Sequence, residues 1–215
     1  MTTVAMTKGA SKSEEQAIAV LTRAFAADPA ARWAYPDQRQ YNTHFPAFVR
    51  AFAGKAFDHG TDHYIDGVAA ALWLPPEVHS DEDAIASVVQ ASVAEPQQEA
   101  MFAFMEEMGR YHPSEPHWYL PLIGVDPAHQ GRGFGSTLLR HALRVCDRER
   151  KPAYLEATSD ASRRLYEREG FVAIGTIQVG SSSPLYPMMR EARSAALWFT
   201  PEVRGTMERG WQERW

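Results

Sequence analysis

Residues 122–143 read LIGVDPAHQGRGFGSTLLRHAL, and the order of elements within this stretch decides the architecture. Leu122, Ile123, Gly124 and Val125 end a segment that starts at Trp118 and reads as a strand, Pro121 notwithstanding. Asp126 and Pro127 mark a turn. Gly131, Gly133 and Gly135 then allow the backbone to bend sharply and to present its amides without Cβ crowding. Leu138, Leu139, Ala142, Leu143 and Cys146 follow at helical spacing. A strand, a glycine-rich turn and a helix N-terminus in this order make a backbone cradle for a pyrophosphate, with Gln130 and Arg132 at its rim. A strand-to-helix turn without a ligand would carry the same glycines. The spacing is G-x-G-x-G, which is neither the G-x-G-x-x-G of a dinucleotide-binding unit nor a P-loop.

Working outward, Ser13 to Gln16 predicts a capping box, and Ala17, Val20, Leu21, Ala24 and Phe25 place one apolar helix face behind it. Asp28-Pro29 reads as a stop. A helix is expected from about Tyr41 to Phe57, its stripe of Phe45, Phe48, Phe52 and Phe57 forming core or pocket wall. His63 to Ile65 and Val68 to Leu74 flank Asp66-Gly67 as a hairpin. Helices are expected over about 81–94 and from Pro96 to Met108. After residue 150 the pattern gives a short strand over 152–157 and a helix from Asp160 to Glu169 closed by Gly170. Two antiparallel strands, Phe171 to Val179 and Leu185 to Arg190, complete it. Pro184 and Pro187 make the second the weaker strand.

The chain has 215 residues, enough for one α/β domain with a full core. Hydrophobic residues at 45% and charged residues at 23% fit a globular chain and argue against disorder. A net charge of −5 argues against a broad nucleic-acid surface, and no apolar run is long enough to span a membrane. The single cysteine, Cys146, precludes an internal disulfide or a thiolate zinc cluster and suits the reducing cytoplasm. The eight histidines are scattered without an H-E-x-x-H motif, so no metal is expected. Residues 1–192 are expected to form one domain. Residues 193–215, with Trp198, Trp211 and Trp215, form an aromatic extension that packs on that domain or on a partner subunit in a homodimer.

Gln130-Gly131-Arg132-Gly133-Phe134-Gly135 resembles the acetyl-CoA signature Q/R-x-x-G-x-G/A of the Gcn5-related N-acetyltransferase family, and Val125 to His129 is similar to its usual approach. Leu165 to Phe171 resembles the second block of that family. The two blocks cover roughly residues 118–171, and the coarse order of elements extends the resemblance to about 13–190. Within the family, His112 to Trp118, Gly124 to Gly135 and Pro152 to Glu156 are similar to the puromycin N-acetyltransferase subfamily.

The resemblance implies an α/β acyl-CoA N-acyltransferase fold, with a mixed, mostly antiparallel central sheet flanked by helices. In it the strand before the signature splays from its neighbour after Tyr154-Leu155-Glu156. It implies acetyl-CoA as cofactor, with the acetyl and pantetheine portion along Leu122, Ile123, Gly124 and Val125. The pyrophosphate would lie over Gln130, Gly131, Arg132, Gly133, Phe134, Gly135 and Ser136, and an amide near Leu122 or Ile123 would polarise the thioester oxygen. Tyr166 matches the family tyrosine near the sulfur and is the candidate general acid, or else a packed aromatic.

Glu156 is the candidate base, directly or through water, or else a solvated or salt-bridged strand-end carboxylate. His117 and Tyr119 are secondary candidates, and Glu106 and Glu107 could select a cationic substrate. Ser159 stands where the family commonly has Asn, and Ser162 where it prefers Ala. Both are expected at the cofactor, with Ser159 alternatively capping the helix. Arg163 and Arg164 either approach the ribose phosphate or are solvated. The implied activity is direct acetyl transfer to an amine of a small molecule. Acetylation of a peptide or protein amine, and noncatalytic CoA binding, are the alternatives.

Overall fold

The computed structural model describes residues 11–193, with side chains from residue 13. The expectations for the aromatic extension, including its packing and dimerisation, fall almost wholly outside these residues. A six-stranded sheet, order β1-β2-β3-β4-β6-β5, is antiparallel except between β3 and β4. The strands are β1 (Asp62–Ile65), β2 (Ala69–Leu74), β3 (Trp118–Val125), β4 (Ala153–Ala157), β5 (Val172–Ala173) and β6 (Tyr186–Arg190). The expected mixed, mostly antiparallel sheet flanked by helices is observed.

One face is covered by α1 (Ser11–Ala24), α2 (Pro29–Ala34), α3 (Gln38–Ala53), α4 (Lys55–His59), α5 (Glu82–Ser92) and α6 (Glu95–Tyr111). Its core contains Leu21, Tyr41, Phe45, Val49, Leu72, Leu74 and Tyr119. The other face is covered by α7 (Phe134–Glu149) and α8 (Asp160–Arg168), over Trp73, Leu138, Leu139, Leu143, Cys146, Leu155 and Met188. α7 is the crossover that makes β3 and β4 parallel. Its C-terminal half, the end of α8 and β6 are clamped by Arg190, which is 4% exposed. Its guanidinium donates to both carboxylate oxygens of Asp147 (2.8 and 2.9 Å) and to the carbonyl of Glu169 (3.1 Å). Among the described residues no helix is long and apolar enough to cross a membrane, and no group of three His, Cys, Asp or Glu could hold a metal ion.

Several boundaries differ from expectation for local reasons. α1 begins at Ser11, so Ser13 lies within its first turn rather than at its cap. α1 already ends at Ala24, before the expected stop. Asp28 instead caps the next helix, its carboxylate accepting from the amides of Ala30 (3.0 Å) and Ala31 (3.1 Å), and Pro29 opens that helix. The expected helix over 41–57 divides at Gly54, where a Cβ would stand 2.2 Å from the carbonyl oxygen of Arg50.

The expected strand Phe171 to Val179 shrinks to Val172–Ala173 plus one bridge, Ile177 to Leu185. Beside it, Gly175 is pressed against the Tyr111 ring. β6, expected to be the weaker partner, pairs along all five residues of β4. The carbonyl of Pro187 accepts from Ile174 (2.9 Å), so the side of the strand lacking an N–H faces β5, and the β4 ladder is untouched.

Gly124 has a packing reason. A Cβ there would lie 2.6 Å from Ala24 Cβ and 3.2 Å from Leu21 Cδ2, so α1 can cross β3 only over a glycine. Gly124→Ala is expected to cost about 1–3 kcal/mol by overpacking, measured by urea denaturation, with partial recovery in the Gly124→Ala, Ala24→Gly double variant.

Candidate functional site

β3 and β4 pair only at Trp118 with Ala153 and Tyr119 with Tyr154. The two strands separate after Tyr154, earlier than the expected point after Glu156. The register of β3 against β2 explains the early separation. Leu122 pairs with Leu72 and Tyr119 with Leu74, so β3 spends one extra residue over the interval. The bulge falls at Leu120-Pro121 and breaks the alternation of faces. Leu120 packs with the α7 side, whereas Pro121 and Leu122 both face the α2–α6 side. From Leu122 onward β3 is bonded to β2 along one edge, while its other edge faces the gap.

At the far end of that gap, Gly131 and Gly133 have φ of +74° and +84°, and a Cβ at either would point into open space. Gly133 is the N-terminal boundary of α7 and accepts from the amide of Thr137 (3.0 Å), which leaves the first amides of the helix directed outward. Gln130 folds back, its Nε2 donating to the carbonyl of Val125 (3.2 Å), and braces the loop. Arg132 is exposed; Phe134, Gly135 and Ser136 are half-buried in the first turn of α7. The amides and the open space at this end fit the pyrophosphate of acetyl-CoA. The edge of Leu122, Ile123, Gly124 and Val125 leads from it toward Glu156.

Glu156 projects from β4 toward the α3–α6 face. Its Oε2 accepts from the Tyr119 hydroxyl (2.9 Å), and its Oε1 is buried without a partner. It carries no ion pair among the described residues. Burial dominates its titration and pushes the carboxyl up to about 7, with the phenols of Tyr119 and Tyr154 working weakly the other way. The Tyr154 hydroxyl itself makes no hydrogen bond of ordinary geometry. Burial in turn holds the Tyr119 phenol protonated well past its usual range, with the Glu156 charge adding to it. A carboxyl held in this way exchanges its proton near neutral pH.

A histidine pair supports it. The His117 Nδ1 lies 2.7 Å from the carbonyl of Glu115, which can only accept, so Nδ1 carries the proton. Its Nε2 then accepts from His112 Nε2 at 3.1 Å. Burial lowers both rings and keeps them neutral, and for His112 burial, with the neighbouring His117 and His79 adding to it, reaches about 4. The His112 ring stands edge-on to Tyr119 and Tyr154 at 4.8 and 5.0 Å, which fixes the phenol that holds Glu156. Both ring nitrogens of His117 are thus engaged within the protein.

Two cavities reach Glu156. The wide one, about 630 Å³, opens between α5 and α6 past His79, Glu82, Phe102, Met105 and His112. Glu106, also on its wall, is paired with Arg110 (2.8 Å); Glu107 pairs with the same arginine (2.7 Å). The narrow one, about 110 Å³, runs beneath Pro121 and Leu122 among Trp33, Phe45, Phe48 and Phe104.

Tyr166 is buried on α8, its ring 6.0 Å from that of Phe171. Burial, and then the negative charge of Asp28, raise its phenol far above the usual range, so it is a proton donor at neutral pH. Ser159 and Ser162 are occupied with each other. Ser159 caps α8, its Oγ accepting from the amide of Ser162 (3.2 Å), while the Ser162 hydroxyl donates to the carbonyl of Ser159 (2.9 Å). The capping role expected of Ser159 is observed. Arg163 bonds Glu167 (2.9 Å) and lies over the Tyr186 ring, and Arg164 is exposed.

Asp28, Thr158, His112 and Tyr154 were missed as site residues. Asp28 reads locally as a helix stop, and its bond to the Thr158 hydroxyl joins positions 130 residues apart. No spacing in the sequence signals such a contact.

The signature of the acetyltransferase (GNAT) family matches residues 38–171, more than half of the chain, and the chain belongs to that family. It is 36% identical over 77 residues to an uncharacterized N-acetyltransferase of Schizosaccharomyces pombe and 40% identical over 76 residues to the N-alpha-acetyltransferase RimI of Mycobacterium tuberculosis. Each match covers 34% of this chain; the chain spans 31% of the first relative's length and 46% of the second's. Among solved structures, one described as histone acetyltransferase HPA2 and related acetyltransferase from Corynebacterium glutamicum superposes with a TM-score of 0.60 at 25% identity, covering 88% of this chain and 97% of that one. These likenesses do not single out the puromycin subfamily.

Glu156 makes a prediction about stability. Its folded carboxyl titrates above its unfolded value, so wild-type stability falls as pH rises from the ordinary carboxylate range to about 7 and is level beyond it. Glu156→Gln is therefore expected to melt a few degrees higher than wild type at pH 8, with the difference shrinking toward pH 4, by calorimetry. Gly133→Glu, which places a carboxylate at the cradle, is expected to lower acetyl-CoA affinity by about tenfold or more in a folded protein, by titration calorimetry. Unchanged affinity would move the cradle elsewhere.

Proposed function

We propose that this chain transfers the acetyl group of acetyl-CoA directly to an amine of a small molecule. The observation that carries the proposal is the position of Glu156. A buried, unshared carboxylate oxygen stands where an open cleft meets the gap between β3 and β4, opposite the backbone edge that ends in the glycine cradle.

Acetyl-CoA would be held by the cradle from Gln130 to Ser136 and by the free edge of β3, and it supplies an activated thioester. Glu156 removes a proton from the acceptor ammonium, since its carboxyl titrates near the pH at which it must work. The Tyr119 phenol steadies Oε2 and leaves Oε1 for the substrate. An amide at Leu122 or Ile123, on the edge that β4 has vacated, polarises the acyl oxygen. Tyr166, kept protonated by burial, donates to the departing sulfur.

The cleft supports a small molecule as acceptor, because about 630 Å³ lies within the range of ligand pockets and is walled by α5 and α6. An amino nucleoside of the puromycin kind is a suitable first probe on the resemblance of residues 112–118 and 124–135. A reducing, cytoplasmic setting suits a chain whose one thiol, Cys146, is buried and pushed up to about 12. Acetylation of a peptide α-amine is the second reading, and the likeness to RimI favours it.

The test is transfer of labelled acetyl from acetyl-CoA to a panel of small amines and peptides. Label on small amines is expected. Label on peptides alone would sink the substrate class, and acetyl-CoA binding with no transfer at all would leave a binding module. With an acceptor found, kcat/KM should fall below about pH 7, and Glu156→Gln should lose about 10²-fold or more in kcat. The residual acidic limb of that variant should then follow the acceptor's own pKa. Tyr166→Phe should lose about tenfold or more in kcat with little change in acetyl-CoA affinity.

A further inference from the structure

The two cavities that meet at Glu156 differ in chemistry. The wide branch carries polar groups at Ser80, His79, Glu82, Glu106 and His112. The narrow branch is apolar, and apart from Glu156 its polar side chains are already committed. Asp28 accepts from the Thr158 hydroxyl and from two amides of α2. The Tyr35 hydroxyl is bonded to Ser92 (2.9 Å), and Trp33 Nε1 donates to Ser181 (3.3 Å). A neutral polar head entering this branch would lose its water to meet groups already bonded, and an anionic one would meet the Asp28 carboxylate. An apolar group would gain from burial among Phe45, Phe48 and Phe104.

The branches share Phe52, Met105, Met108 and Glu156, so both open at the carboxylate that receives the ammonium proton. A straight-chain amine anchored there fills one branch and leaves the other empty. A carbon that bears both the nitrogen and a side group can fill both.

We propose that the preferred acceptor is a primary amine whose nitrogen-bearing carbon carries a compact apolar substituent, seated in the narrow branch, while a larger polar body lies in the wide one. This is the chemistry of an α-aminoacyl unit, and it rests on the acetyl-transfer reading above. The narrow branch, at about 110 Å³, is smaller than the roughly 150 Å³ cavity that admits benzene, so the substituent is limited to about four to six carbons. Ala34, at the end of α2, lines the narrow branch and not the wide one, which makes it the position from which to close that branch alone.

The test measures kcat/KM with acetyl-CoA for glycinamide, leucinamide and tryptophanamide. Leucinamide is expected to exceed glycinamide by about tenfold or more, and tryptophanamide to fall below leucinamide because its side group is too large for the branch. In Ala34→Leu, with its fold checked by melting and acetyl-CoA binding, the leucinamide to glycinamide ratio should collapse to within about threefold.

Tryptophanamide equal to or better than leucinamide would overturn the proposal, since the wide cleft would then be taking the side group. So would a ratio left unchanged in the folded Ala34→Leu variant. If that variant instead alters the preference for butyryl-CoA over acetyl-CoA, the narrow branch houses the acyl chain and the assignment is wrong. Acetyl-CoA binding with no transfer to any amine would remove the underlying activity, an outcome separate from a wrong substituent.

Discussion

The separation of β3 from β4 after two residue pairs is the constraint on which the remaining geometry depends. β3 is fixed along its other edge by β2, and β4 by β6, so neither strand can swing to close the gap without breaking a complete ladder. α7 makes the pair parallel, and the bulge at Leu120-Pro121 turns β3 away. One extra residue thereby does two things. It frees a backbone edge for a ligand, and it places Pro121 and Leu122 together on the face where Glu156 lies.

The same packing creates the chemistry. Glu156 titrates near neutrality because it is buried beneath the helices of one face, and its neighbours are tyrosines and a neutral histidine pair rather than an opposite charge. A salt bridge there would have lowered its pKa and removed its capacity as a base. The arrangement costs stability, since a buried carboxylate with an unmatched oxygen disfavours the fold above neutral pH. The clamp of Arg190 on Asp147 and Glu169 lies on the opposite face, away from this site, and carries charge in a fully bonded form.

Much of this was legible in the sequence where the determining contacts are local. The hairpin around Asp66-Gly67, the strand ending at Val125, the glycine turn into α7 and the helix closed at Gly170 all follow from periodicity and turn chemistry. Glu156 was singled out at the end of its strand, and its surroundings fit a base better than the solvated or ion-paired alternatives. Where expectation failed, a longer-range contact had decided the matter. The pressure of Tyr111 on Gly175 accompanies the break in the strand after Phe171. The direction of Pro187 within its ladder preserves a strand that composition disfavours. Gly124 must be a glycine because α1 crosses over it, a packing demand that no local pattern shows.

From the sequence by itself came the order of elements, the family resemblance and the backbone cradle at Gln130 to Ser136. Each of these depends on residues within a few turns of one another, where steric limits and periodicity act directly. The tertiary structure alone decided which polar groups surround Glu156, where β3 leaves β4, and that two cavities meet at that carboxylate. Asp28 meets Thr158 across 130 positions and Tyr119 meets Glu156 across 37. Desolvation depends on everything packed around a group, so no local pattern in the chain can specify it.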